Sequence, residues 1–173
     1  MSPLPRVYIG HGASGSAATM EPFAAGLRAR GVDAVAIDLP KRRAEDAVPV
    51  LLKIAPPGPG VVVAGHSYGG RVASLAAAEH PYRGLVCFSY PLHRPGHPDG
   101  VTRIAHWPQI ACPMLFLSGE ADPFAKIALL RAAVDRTPNA TLVTWPRLGH
   151  TLKPVLDEAL DRVAAFVLAL PEP

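Results

Sequence analysis

Six short, almost uninterrupted apolar runs alternate with segments of helical periodicity, and this alternation limits the folds open to the chain more than any other feature. The runs fall near residues 6–10, 32–38, 61–66, 85–90, 114–118 and 140–145. A run such as Val61-Val62-Val63-Ala64 does not alternate apolar with polar residues, as a strand with one wet face would. It suits a parallel strand covered on both sides. Helices are expected near 19–30, 43–55, 68–80, 124–136 and 152–170. In the last, Val155, Leu156, Leu160, Val163, Phe166 and Val167 recur at helical spacing, with Asp157, Glu158, Asp161 and Arg162 largely opposite. Pro49 is expected to kink or shorten the second helix. The pattern gives an α/β fold of about six mainly parallel strands, helices on both faces and right-handed crossovers. At 173 residues the expectation is one domain over 1–173.

Several functional classes are disfavoured by composition. No stretch approaches the ~20 apolar residues of a membrane span. No basic segment followed by an apolar one opens the sequence, so a cytoplasmic location is expected. The formal net charge is +3. Lys41-Arg42-Arg43 is the one basic cluster and lacks the aromatic partners of a nucleic-acid surface, so no nucleic-acid partner is expected. Cys87 and Cys112 lie in or beside apolar runs, without C-x-x-C spacing, and read as buried free thiols. Pro56-Pro57-Gly58-Pro59-Gly60 is a stiff connector. The long irregular segment 91–113, with five prolines, is of the kind that serves a site.

Gly65-His66-Ser67-Tyr68-Gly69-Gly70 directly follows the third apolar run. This is G-x-S-x-G between a strand and a helix, the setting in which the motif exposes a serine as a nucleophile. A serine hydroxyl attacks well only when held beside a base. A side chain at Gly65 or Gly69 would collide with the neighbouring strand or helix, and Gly70 lets the helix pack close. The bland alternative is a turn with Ser67 as a helix N-cap.

Ligands of open α/β sheets bind beyond the carboxyl ends of the strands, so polar residues just past those ends are the candidates for the rest of a site. Asp122 follows the fifth run, where a carboxylate can hold a histidine in the right tautomer. It could also cap a helix before Pro123, and Glu120 is the competing acid. His150 follows the sixth run and could act first as base, then as acid. After the first run comes His11-Gly12-Ala13, where the Ala13 N–H, with that of Tyr68, could form an oxyanion hole.

Gly10-His11-Gly12-Ala13-Ser14-Gly15 also matches G-x-G-x-x-G, and Asp38 ends the second run where a ribose contact would fall. A Rossmann-type dinucleotide site is therefore a competing reading. His93, His97 and His106 share the proline-rich segment, but no glutamate completes a zinc motif and no metal site is expected. They are expected to line or rim a cleft with Tyr90, Leu92 and Trp107.

With the elbow, acid and histidine in serine–acid–histidine order, the chain resembles the α/β-hydrolase superfamily. Within it, the closer resemblance is to small proteins related to dienelactone hydrolases, a group that includes the hydrolase-like domain of a chromatin acetyltransferase complex subunit. His11-Gly12-Ala13, Ser67–Ala73, Tyr90–Gly96, Gly119–Phe124 and Gly149–Lys153 carry it. Ser67 departs from the cysteine of true dienelactone hydrolases, and Tyr68 from the methionine common at that position. The resemblance implies a minimal fold without a cap domain. It also implies a Ser67-His150-Asp122 triad needing no cofactor and a small ester or thioester substrate, with His11, Tyr90, Leu92 and His93 as substrate contacts. A binding module with an idle triad is the non-enzymatic alternative.

Overall fold

The structure, a computed structural model, describes residues 3–173. Strands β1 (Arg6–Gly10), β2 (Ala34–Ile37), β3 (Gly58–His66), β4 (Tyr82–Phe88), β5 (Met114–Gly119) and β6 (Ala140–Trp145) form one sheet. Its order is β2-β1-β3-β4-β5-β6, and every pairing is parallel. Helices α1 (Ala17–Arg28), α2 (Ala44–Ile54), α3 (Tyr68–Glu79), α4 (Ile127–Asp135) and α5 (Leu156–Leu168) link or follow the strands.

The apolar runs divide by strand periodicity. Val7, Ile9, Val62, Ala64, Val86, Phe88, Leu115 and Leu117 point to one face, where α1 and α5 pack. Val63, Leu85, Cys87, Met114 and Phe116 point to the other, under α2, α3 and α4. Burying such a side chain contributes ~1.5–3 kcal/mol, so two filled layers outweigh local helix defects. Pro22 and Pro49 both stand inside continuous helices, so Pro49 neither ends nor shortens α2. On α2 the buried face of Ala47, Val48 and Leu51 holds the turn that the proline weakens.

Several boundaries differ from the sequence expectation: β3 starts at Gly58, inside the expected connector, β4 and α1 each begin earlier than expected, and two helices start later. Helix α4 starts at Ile127, not near 124, because the Phe124 N–H donates to Asp122 Oδ1 at 2.8 Å and makes an Asx turn instead. Helix α5 starts at Leu156 after a 3-10 turn at Lys153–Val155 that contains Pro154.

The strand order reverses between β1 and β3, since β2 lies outside β1 while β3 to β6 extend the other way. This is the switch point at which open α/β sheets bind ligands. The loops after β1 and β3 carry Ala13 and Ser67. Among the described residues no additional domain covers that end of the sheet. Segment 91–113 runs beside it, with Pro91 and Arg103 on the cleft wall. Among the described residues no helix is long and apolar enough to cross a membrane.

Candidate active site

Ser67 caps the turn between β3 and α3 with φ 49° and ψ −115°, a left-handed conformation that costs a non-glycine residue ~1–3 kcal/mol. Close packing imposes it. A Cβ at Gly65 would stand 2.1 Å from the Gly69 carbonyl carbon, and one at Gly69 would stand 2.6 Å from that of Gly10. The elbow is thus wedged against both β1 and its own helix, and the serine side chain is turned out of the sheet.

His150 reaches this serine from the loop after β6, with Nε2 2.9 Å from Ser67 Oγ. Its Nδ1 lies 2.8 Å from Asp122 Oδ2. An ionised carboxylate only accepts, so Nδ1 carries the proton and Nε2 is left to accept the serine proton. Asp122 is buried at 4 % exposure, and its Oδ1 takes the Phe124 N–H. The Phe124 ring stacks on His150 at 4.2 Å between centroids. The fold therefore brings Ser67, His150 and Asp122, far apart in sequence, into one hydrogen-bonded row. Glu120 is not part of it. Its carboxylate accepts from Arg131 and Thr144, each at 2.8 Å.

Gly119 is a determinant that the sequence reading missed. A Cβ there would lie 2.1 Å from the Leu148 carbonyl oxygen, so the histidine loop crosses directly over the end of β5. The Glu120 and Ala121 N–H groups donate to Trp145 and Leu148 at 2.9 and 2.8 Å, fastening the two loops. A glycine closing a strand just ahead of the acid was the available signal.

Ala13, Ser67, Tyr68, Arg71 and Phe124 line a 460 Å³ cleft. The Tyr68 N–H is the first of α3 and has no intrahelical acceptor. Neither it nor the Ala13 N–H is hydrogen-bonded among the described residues. The Tyr68 hydroxyl donates to the Pro40 carbonyl at 2.7 Å, and burial raises its pKa. His66 faces the other side of the row, its ring centroid 5.3 Å from that of His150. Burial, then the neighbouring His150, pushes the His66 pKa down.

The four side chains expected to touch substrate are placed differently. His11, Tyr90, Leu92 and His93 are all at or below 1 % exposure, and none lines the cleft. The two histidines are braces of one design. His11 Nδ1 donates to the Gly12 carbonyl, and its Nε2 accepts the Leu39 N–H at 2.9 Å. His93 Nδ1 donates to the Arg94 carbonyl, and its Nε2 accepts the Lys126 N–H at 2.9 Å. Tyr90 donates to the Arg103 carbonyl at 2.5 Å. Trp107 is buried against Phe116, and only His97, exposed, stays on the loop surface. His106 turns inward to Ser74 at 2.8 Å.

The dinucleotide reading fails at the start of α1. Asp38 Oδ1 accepts the Ala17 N–H at 2.7 Å, so a carboxylate already occupies the helix terminus where a pyrophosphate would bind, and would repel it. Among the described residues no group of three or more His, Cys, Asp and Glu side chains is arranged to hold a metal ion. Cys87 and Cys112 are buried free thiols.

Comparison with known proteins agrees with this architecture. A family model described as an alpha/beta hydrolase domain matches residues 6–167. A protein from Xanthomonas campestris pv. campestris, described as a hydrolase of the alpha/beta superfamily, is similar in structure. It has a TM-score of 0.76 and 20 % identity, over 96 % of this chain and 99 % of that one. An esterase from Pyrococcus furiosus gives a TM-score of 0.77 and 19 % identity, over 96 % and 83 %. A monoacylglycerol lipase from Paleococcus ferrophilus gives 0.76 and 14 %, over 97 % and 96 %. Those identities speak for the fold, and the family model covers nearly the whole sequence: the chain belongs to the α/β-hydrolase family.

Proposed function

We propose that the protein is a serine hydrolase that cleaves small esters or thioesters through Ser67, His150 and Asp122. The observation that carries this reading is the row Ser67 Oγ, His150 Nε2, His150 Nδ1, Asp122 Oδ2, with hydrogen-bond separations of 2.9 and 2.8 Å. Ser67 Oγ attacks the carbonyl carbon while Nε2 takes its proton, and Asp122 stabilises the imidazolium. The Ala13 and Tyr68 N–H groups, at the same cleft, receive the oxyanion, aided by the positive end of α3. The tetrahedral intermediate expels an alkoxide or thiolate, which leaves with the proton from Nε2. Water, deprotonated by His150, then releases the acid and restores the serine.

The reading calls for no metal or cofactor and takes a small molecule as the partner. Membership of the dienelactone-hydrolase-related group, with its chromatin-complex relative, and a cytoplasmic location belong to the same proposal. The test is incubation with a fluorophosphonate probe and turnover of short-chain 4-nitrophenyl esters. Labelling and turnover are expected in the native protein and absent in Ser67→Ala. A folded native protein that neither labels nor turns over esters would leave the binding-module reading in its place.

A further inference from the structure

The cleft beside Ser67 is strongly cationic. Arg42, Arg43, Arg71 and Arg103 line it together with one acid, Glu45, a local excess of three positive charges. The formal net charge of the whole chain is also +3, so the rest of the molecule is balanced and its excess is concentrated at the serine.

Arg71 and the backbone of Arg103 are held in place, whereas Arg42 and Arg43 are exposed. Arg71 stands in the first turn of α3 and pairs with Glu45 in the first turn of α2 at 2.6 Å. Its side chain is 20 % exposed. Arg43 reaches the same carboxylate at 3.8 Å, so Glu45 is shared and cannot neutralise both. Arg42 and Arg43 follow Pro40, which the Tyr68 hydroxyl ties to the elbow. Arg103 comes from segment 91–113. Its backbone is pinned by a donation to the Leu92 carbonyl at 2.8 Å and by acceptance from Tyr90. Its half-buried guanidinium has no acidic partner within 4.0 Å among the described residues. Burial, then the nearby positive charge of Arg71, lowers its pKa.

A partly desolvated cation crowded by like charges is an unfavourable arrangement in an empty cleft, and an anion relieves it. Guanidinium also matches carboxylate and phosphate by paired N–H donors. We propose that the substrate of the Ser67 site is an ester carrying a carboxylate or phosphate-type anion, which Arg103 and Arg71 bind while the ester carbonyl lies at Ser67. The proposal rests on the serine-hydrolase reading above.

The experiment compares three charged esters, each with its neutral methyl ester, as kcat/KM normalised to spontaneous hydrolysis. They are mono-4-nitrophenyl adipate, 4-nitrophenyl 5-phosphonopentanoate and 4-carboxyphenyl acetate. A charge-assisted contact predicts at least about tenfold preference for a charged ester. That preference should fall about tenfold in Arg103→Gln, return in part in Arg103→Lys, and shrink as salt rises from about 20 to about 500 mM and screening strengthens. The ester that responds identifies the anion and the side of the scissile bond it occupies. Ser67-dependent turnover with no charged ester preferred, or a preference untouched by Arg103→Gln, overturns the proposal and leaves the hydrolase reading standing. A protein that turns over no ester sinks the hydrolase reading, and the anion site is then read by calorimetry on Ser67→Ala with monomethyl adipate and inorganic phosphate. Binding lost in the Arg103→Gln double variant supports the anion site, and absence of binding overturns it.

Discussion

The carbonyl oxygen of Leu148 lies 2.1 Å from the point where a Cβ on Gly119 would stand. The end of β5 and the loop bearing His150 are therefore in backbone contact, and no flexible side chain can yield between them. Gly119→Ala is expected to push the loop outward and to lengthen both separations in the Ser67–His150–Asp122 row. A loss of about 3 kcal/mol in stability is expected, as for other overpacked backbone sites. Thermal melting and the rate of fluorophosphonate labelling check this, and both should fall.

Ser67 holds a backbone conformation that glycine adopts without strain. Ser67→Gly and Ser67→Ala both remove the hydroxyl, but only the glycine relieves the turn. After allowing for the greater unfolded-state freedom of glycine, Ser67→Gly should be about 1 kcal/mol more stable than Ser67→Ala. That corresponds to a melting temperature roughly 2–4 °C higher for a chain of this size. Equal melting points would show that the elbow is unstrained.

His11 and His93 each bridge a loop to a distant backbone N–H. His11→Ala and His93→Ala leave the Leu39 or Lys126 N–H without its acceptor and open a cavity. Each should cost about 3 kcal/mol, measured by urea denaturation. Below its melting point each variant should still label at Ser67, whereas His150→Ala should not. Loss of labelling in a folded His93→Ala protein would restore His93 to the site.

Burial, and secondarily Arg71, holds the His106 pKa down at about 4, while in the unfolded chain it is near 6.5. Between these values the unfolded state binds a proton that the folded state does not, so stability rises with pH. The contribution is complete above pH ~6.5 and is lost as pH falls towards ~4. The shift corresponds to ~3 kcal/mol at most, and the partial exposure of the ring reduces this to about 1–2 kcal/mol. Urea titrations at pH 7 and 4.5 should show His106→Gln with a smaller acid loss than the native protein.

The sheet and the elbow were legible in the sequence because their constraints are local. A strand buried on both faces must be apolar throughout, as 61–64 and 114–117 are, and a serine turn wedged between strands admits only glycine at 65 and 69. Chain order then pointed to Asp122 and His150. The loops were not legible in the same way. A histidine in a proline-rich segment has a residue type but no direction, and His93 turned out to spend both ring nitrogens on backbone groups. Tyr90 and Leu92 were expected at the cleft from the resemblance, yet both are buried and tied to the Arg103 backbone. The cationic wall was hidden too, because Arg42, Arg71 and Arg103 come from three separate stretches and meet only in the cleft beside Ser67.

Ala13 and Tyr68 follow two strands that lie side by side, with Gly10 opposite Gly65 in the ladder. The strand ends from which both loops spring are accordingly held at the ~4.8 Å rung of a β-sheet. A gauge set by the sheet does not drift with temperature or with an insertion in segment 91–113. It survives until β1 and β3 separate, which is the melting of the protein itself.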